Sequence, residues 1–291
     1  MRKIVFYNLA NQLTTINLLA SISRLQLNAL FLDLDYQNAS LKNLIALEDH
    51  EKVFSFNDKS NVYILDDECI HCGLCLKICH FEAVERIQQR LEVNQSLCEA
   101  CDLCRRACPV SAIVPIENQS AFFGEARTSH NPIVYGFWQA NIYKESARIA
   151  QMFAYANSII SQQSIDYMFI SGMEKRWLKS IVHKVEIDLI ILLVDLNRID
   201  FREFILFTQE LKVMNVHIIT LLINVLSDVT QTKLWIDEGL AQQIPTFDYS
   251  ANYQKWNCQS SKSNFQSWTD NNDSELVIVE IWNNIHQLLK Q

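Results

Sequence analysis

IVFYNLANQLTTINLLASISRLQLNALFLDLD, residues 4–35, reads as strand, loop, helix and strand. The run IVFY (4–7) is apolar and short, which suits a buried strand over residues 3–7. From 14 to 25 the apolar Ile16, Leu19, Ala20 and Ile22 recur at helical spacing. ALFLDLD (29–35) is a second apolar strand with Asp33 and Asp35 at its C-terminal end. Such a unit predicts parallel strands joined by a right-handed crossover. The connecting loop, NLANQLTT (8–15), stands where many nucleotide-binding domains hold phosphate. It contains neither glycine nor lysine. Glycine lets backbone approach phosphate closely and adopt positive φ, yet the chain has only five, the first being Gly73.

The alternation returns further along. IVYGFW (133–138), DYMFIS (166–171), DLIILLVDL (188–196) and VHIITLLIN (216–224) read as strands. Helices are expected over 143–160, 173–184, 201–214 and about 229–240, with NVYILD (61–66) closing the first α/β part. QQIPTFDY (242–249) reads as a short extended piece, and 257–274 as a polar surface loop holding Cys258. Ser274 is placed to cap a last helix whose apolar positions include Val277, Ile278, Ile281, Ile285 and Leu288. A net charge of −8 with scattered basic residues argues against nucleic acid and anionic lipid as partners. No run of eighteen apolar residues exists, so no membrane span is expected. Arg2 and Lys3 precede an apolar stretch, but Asn8, Asn11, Gln12 and Asn17 break it, which reads against a signal peptide and for a cytoplasmic protein.

Eight of the nine cysteines fall in CIHCGLCLKICHFEAV (69–84) and CEACDLCRRACPVSAI (98–113). Each run is C-x2-C-x2-C-x3-C, and every cysteine of the first recurs 29 residues later. Phe81, Ala83 and Val84 likewise recur as Val110, Ala112 and Ile113, so this is an internal repeat. Three thiolates two residues apart can meet three irons of one cube from a tight loop, while the fourth faces the other cube. That rule assigns Cys69, Cys72, Cys75 and Cys108 to one [4Fe–4S] cluster, and Cys98, Cys101, Cys104 and Cys79 to the other. Structural zinc uses cysteine pairs rather than four-cysteine runs. The segment resembles the bacterial two-cluster ferredoxins over about 64–116. The proline usual after the fourth cysteine is present as Pro109, but the first run has His80. His80 and His71 read as surface and loop residues, and Cys258 as a free surface thiol.

Together, the α/β alternation and the cysteine segment resemble the MinD/ParA-type ATPases, relatives of the nitrogenase iron protein and of the Mrp-type cluster carriers, in the branch with a two-cluster ferredoxin insert. The resemblance implies a mostly parallel, P-loop NTPase-like α/β domain (1–63 and 117–291) interrupted by an α+β ferredoxin-like domain (64–116). The family's phosphate loop, KGGxGKTT, falls on Asn8–Thr15, and only Thr14 and Thr15 match it. Its Asp-x-Asp, whose second member polarises the attacking water, falls on Asp33 and Asp35. Its Mg²⁺-holding aspartate falls on Ser171, ahead of Gly172, and its base-contacting asparagine on Asn224. Thr14, Thr15, Asp33, Asp35 and Asn224 are thus the remnant of a nucleotide site from which the gripping lysine, the glycines and the metal aspartate are gone. This pattern argues against ATP and Mg²⁺ as cofactors. The expected function is electron transfer through two [4Fe–4S] clusters on an inactive ATPase frame, with a protein redox partner, as a homodimer or a heterodimer with a related MinD/ParA-like chain. The alternative is an ATPase that drives electron delivery or cluster assembly.

Overall fold

Strand β1 (Arg2–Asn8) alternates its side chains between two cores, Ile4 and Phe6 on one face and Val5 and Tyr7 on the other. All four are buried, because helices cover both faces of the sheet to which β1 belongs. The computed structural model describes residues 1–9, 12–36, 38–45, 51–56, 61–95, 97–98, 100–116, 121–128, 130–138, 142–196, 198–223, 229–248 and 272–290.

In chain order the first elements are α1 (Gln12–Ile22), β2 (Ala29–Asp33), α2 (Ser40–Leu44), β3 (Lys52–Ser55) and β4 (Val62–Ile64). The cysteine region holds α3 (Leu74–Ile78), β5 (Val84–Ile87), β6 (Arg90–Val93), α4 (Leu103–Ala107) and β7 (Ile113–Pro115). Then come β8 (Phe122–Arg127), β9 (Pro132–Phe137), α5 (Ile142–Gln162), β10 (Tyr167–Ser171), α6 (Lys175–Val185) and β11 (Leu189–Asp195). The chain continues with α7 (Phe201–Lys212), β12 (His217–Ile223), α8 (Val229–Ala241), β13 (Thr246–Asp248) and α9 (Asn272–Leu288).

Nine strands form one sheet in the order β13-β12-β11-β1-β10-β2-β9-β8-β3. Pairing is parallel from β13 to β9, and β8 and β3 extend that edge in antiparallel fashion. The expected strand–helix–strand unit is present, with β10 seated between β1 and β2. On one face α1, α2 and α9 bring Leu18, Leu41 and Trp282 against Phe6, Phe31 and Phe169. On the other, α5, α6, α7 and α8 bring Met152, Leu178, Phe207 and Trp235. Among the described residues no helix is long and apolar enough to cross a membrane.

Two features depart from the sequence reading. Residues 61–66 do not close the large sheet: β4 pairs with β7 in a small sheet of their own. The strands β3 and β8 were not expected. Phe54 of β3 and Phe123 of β8 stack at 5.3 Å and pack on Tyr155 of α5, which makes them part of the core.

Gly172, just after β10, has φ +73°, and a Cβ there would lie 2.2 Å from the backbone nitrogen of Asp35. The loops after β2 and β10 therefore touch backbone to backbone, and Leu34 N–H donates to Ser171 O at 2.9 Å. Gly172→Ala is expected to lose roughly 1–3 kcal/mol to backbone strain, with the clash adding to it. A thermal melt superimposable on that of the unchanged protein would contradict this close approach.

Candidate metal centre

The repeat seen in the sequence is repeated in the backbone. Left-handed residues occur at His71, Gly73 and Glu82, with φ of 52°, 73° and 51°. The same conformation returns at Ala100, Asp102 and Ser111, with φ of 50°, 68° and 54°. Each of these is the 29-residue counterpart of the first set. Gly73 and Asp102 sit immediately ahead of α3 and α4. Alternation of right- and left-handed residues turns successive amides toward one point, which makes a loop that binds anions. Composition alone gave no sign of these positions, because only Gly73 is a glycine; the 29-residue offset applied to Gly73 would have pointed to Asp102.

The hydrogen bonds follow the same symmetry. Leu65 N–H donates to Ala112 O at 2.8 Å, and its counterpart Asn94 to Ala83 O at 2.7 Å. Asn61 Nδ2 donates to Gln95 O at 3.1 Å, whereas the counterpart pair Arg90 and Asp66 forms an ion pair at 3.0 Å. Asp66 also lies 3.9 Å from His71. The repeat thus keeps its geometry while exchanging neutral for charged partners.

α3 carries Cys75 and α4 carries Cys104, and the two helices pack together. Burial pushes the Cys75 thiol up, and the charges of Cys69 and Cys72 add to this. Burial also pushes Cys104 up to about 11, and here the added charges belong to Cys98, Cys101 and Cys79. Cys79, the fourth cysteine of the first run, therefore lies in the electrostatic neighbourhood of the second. Backbone amides donate to sulfur, His71 N–H to Cys69 Sγ at 3.4 Å and Ala83 N–H to Cys79 Sγ at 3.3 Å. Cys72 and Cys101 are exposed, whereas Cys75 and Cys98 are buried. Among the described residues no three His, Cys, Asp or Glu side chains are close enough to hold a single metal ion. A cubane spaces its thiolates around a cage of iron and sulfide, a wider ring than one ion requires. The donor set, repeated thiols with backbone amides donating to sulfur, fits such a group. His80 and Pro109 occupy equivalent exposed turn positions.

The N-terminal loop has a different character. Leu9 N–H, at one of the family's glycine positions, donates to Leu193 O of β11 at 3.2 Å. Its side chain packs against the core. Thr15 is buried, and its hydroxyl has no hydrogen-bond partner among the described residues. The side chain of Thr14, together with Asn224 and Cys258, lies outside the described residues. Asp33 is fully buried; its Oδ1 accepts from Asp35 N–H at 3.1 Å and its Oδ2 from Leu41 N–H at 2.8 Å. The Asp35 carboxylate accepts from the Ser40 hydroxyl. Both aspartates are thus engaged in shaping the turn into α2. Ser171, at the end of β10, is buried beside Asp33 in parallel register. Sequence reasoning passed over Tyr36, whose hydroxyl donates to Glu174 Oε1 at 2.7 Å and ties the loop after β2 to the start of α6. Next to it Trp177 Nε1 donates to the buried Glu145 at 2.8 Å.

Comparison with known proteins gives three results. The 4Fe-4S dicluster domain family matches residues 62–115. Formate hydrogenlyase subunit 2 of Escherichia coli K12, and that of Shigella flexneri, are 40% identical over 47 residues. That is 16% of this chain and 23% of the relative, so the chain spans about a quarter of the length of the curated relatives it matches. Among solved structures, the MinC:MinD cell division protein complex of Aquifex aeolicus aligns over 88% of this chain and 84% of that one, with a TM-score of 0.39 and 9% identity. The segment from 62 to 115 is therefore similar to iron–sulfur dicluster domains.

Burial pushes the Asp33 carboxyl up to about 7 from an ordinary 3.8, against the pull of the Asp35 and Leu41 amides. Above 3.8 the folded chain retains a proton that the unfolded chain has lost. The contribution of Asp33 to stability is therefore fully present in acid and is lost as pH rises through about 7. Carboxyl-carbon NMR is expected to find one aspartate with a midpoint near 7. If all aspartates titrate in the ordinary range, the burial argument is wrong.

Proposed function

We propose that this chain is an electron carrier holding two [4Fe–4S] clusters on an α/β frame that no longer hydrolyses ATP. The dicluster unit covers 64–116, with its first strand β4 already starting at Val62, and it interrupts a MinD/ParA-like domain formed by 1–63 and 117–291. One cluster takes Cys69, Cys72, Cys75 and Cys108; the other takes Cys98, Cys101, Cys104 and Cys79. The observation that carries the reading is the repeated backbone of the two cysteine runs, whose helices α3 and α4 pack together with Cys79 in the neighbourhood of Cys98, Cys101 and Cys104. A thiolate lent from one run to the other is what the swapped ligation requires. The dicluster match over 62–115 and the stretch shared with formate hydrogenlyase subunit 2 support iron–sulfur electron transfer. When bound, the clusters supply one-electron redox steps. The chain's own residues place the thiolates, aim amides at sulfur and shield Cys75 and Cys98 from water.

Three observations support an inactive frame. The Leu9 amide, which a phosphate loop would turn toward phosphate, is engaged by β11. No lysine stands in 8–15 to grip the β- and γ-phosphates. The Asp33 carboxylate is held by backbone amides of its own loop. The frame then serves for assembly, pairing with a second copy or with a related MinD/ParA-like chain in the cytoplasm. Of the remnant residues, Asp33 and Asp35 keep a structural role in the turn into α2.

Anaerobically purified protein is expected to hold about eight irons per chain, two cubes of four. Cys79→Ser should remove or convert the cluster of the second run and leave that of Cys69, Cys72 and Cys75, as read by iron analysis and low-temperature EPR. Loss confined to the first-run cluster would refute the swap. Calorimetry with MgATP should give no heat of binding at about millimolar concentration, far weaker than a working site. Saturable micromolar binding would favour the ATP-driven alternative.

A further inference from the structure

The helices α3 and α4 are LCLKI and LCRRA, and neither contains an acidic residue. They pack side by side, so their outward side chains make one surface. Leu74 is 40% exposed, Leu76 37% and Leu103 43%, and Lys77, Arg105 and Arg106 are exposed beside them. Asp102, immediately ahead of α4, bridges Arg105 at 2.5 Å and Arg106 at 3.4 Å. The two helices and the residue ahead of α4 thus carry three cations and one carboxylate, on a chain whose net charge is −8. Cys75 and Cys104 sit on these same helices, so whatever covers the surface lies close to both sulfur rings. Exposed leucines and cations on the same pair of helices have the composition of a docking patch.

We propose that the α3–α4 surface docks an acidic redox protein, one that presents an apolar patch rimmed by carboxylates over its own redox centre. The inference rests on the electron-carrier reading above and adds where the partner sits and what charge it carries. Opposite charge steers the encounter and fixes orientation, and the leucines supply the desolvated contact. A partner seated here would approach the positive part of an otherwise acidic protein. Partners of the opposite sign would be drawn to other faces.

An acidic flavodoxin serves as the probe and a basic cytochrome c as its counterpart. The affinity of the iron-loaded protein for oxidised flavodoxin is measured by calorimetry across ionic strength. The electron-transfer rate is then followed after reduction with dithionite. Each productive encounter moves one electron from the reduced protein to the flavin, which takes a proton from solvent to become the neutral semiquinone. Salt should weaken flavodoxin binding, although both proteins are acidic overall, because screening removes attraction at this face. The double variant Lys77→Glu with Arg106→Glu should weaken binding at least tenfold and reverse the salt trend, while Arg105 is left to hold Asp102. Lys212→Glu with Lys233→Glu, which changes net charge equally on the frame, should alter affinity less than twofold. Binding that strengthens with salt in the unchanged protein would overturn the proposal, as would equal losses from the two double variants. So would cytochrome c binding that falls with Lys77→Glu and Arg106→Glu. Iron content and visible absorption are read separately: their absence counts against the cluster reading, whereas the affinity series decides the docking face.

Discussion

The packing of two five-residue helices, α3 and α4, governs the geometry of the cysteine region. Each helix follows a loop with left-handed residues and carries the third cysteine of its run. The fourth cysteine leaves the helix end in extended conformation, with Cys79 at φ −75° and ψ 103° and Cys108 at φ −72° and ψ 115°. With the helices apart, each run would offer its own loop three thiolates and send the fourth into solvent. With them together, Cys79 reaches the surroundings of Cys98, Cys101 and Cys104. The small core around them, with Val62, Val84, Leu91 and Ile113, is too thin to hold such a fold tightly by apolar burial alone.

In the metal-free chain the buried thiols pack as small, neutral groups. Burial and neighbouring charge push Cys75 and Cys104 up, so in the metal-free chain the protonated form is favoured. Iron reverses this, since bound thiolate is the stable form and protons are released on loading. Folding of this region and acquisition of its metal are therefore coupled, whereas the large sheet draws its stability from two apolar cores that involve no metal.

The parallel strands were legible because both faces are buried. LIILLV (189–194) of β11 and IVFY of β1 are uninterrupted apolar runs, and a central parallel strand needs such runs. The cysteine repeat was equally open to reading, since ligand spacing is fixed by the cube. The edge was not: KVFS of β3 is mostly exposed, and FFGEAR of β8 carries the charged Glu125 among its buried residues and Arg127 at its half-buried end. Glu125 is tolerated because Arg127 on the same strand, Lys52 of β3 and Tyr155 of α5 satisfy it. The N-terminal loop was half legible. Missing glycine and lysine spoke against phosphate, but only the structure assigns the Leu9 amide to β11 and the Asp33 carboxylate to the turn into α2. The tie between Tyr36 and Glu174 joins residues 138 apart in sequence and left no local trace.

The two ends of the dicluster segment lie side by side, with Ile116 N–H donating to Asn61 O at 2.7 Å. To its host, the whole segment between them is topologically no more than a tight turn. The conformational entropy of closing a loop depends on the separation of its ends and only weakly on its length. A segment closed in this way constrains the sheet around it chiefly at its two ends, whatever the length between them.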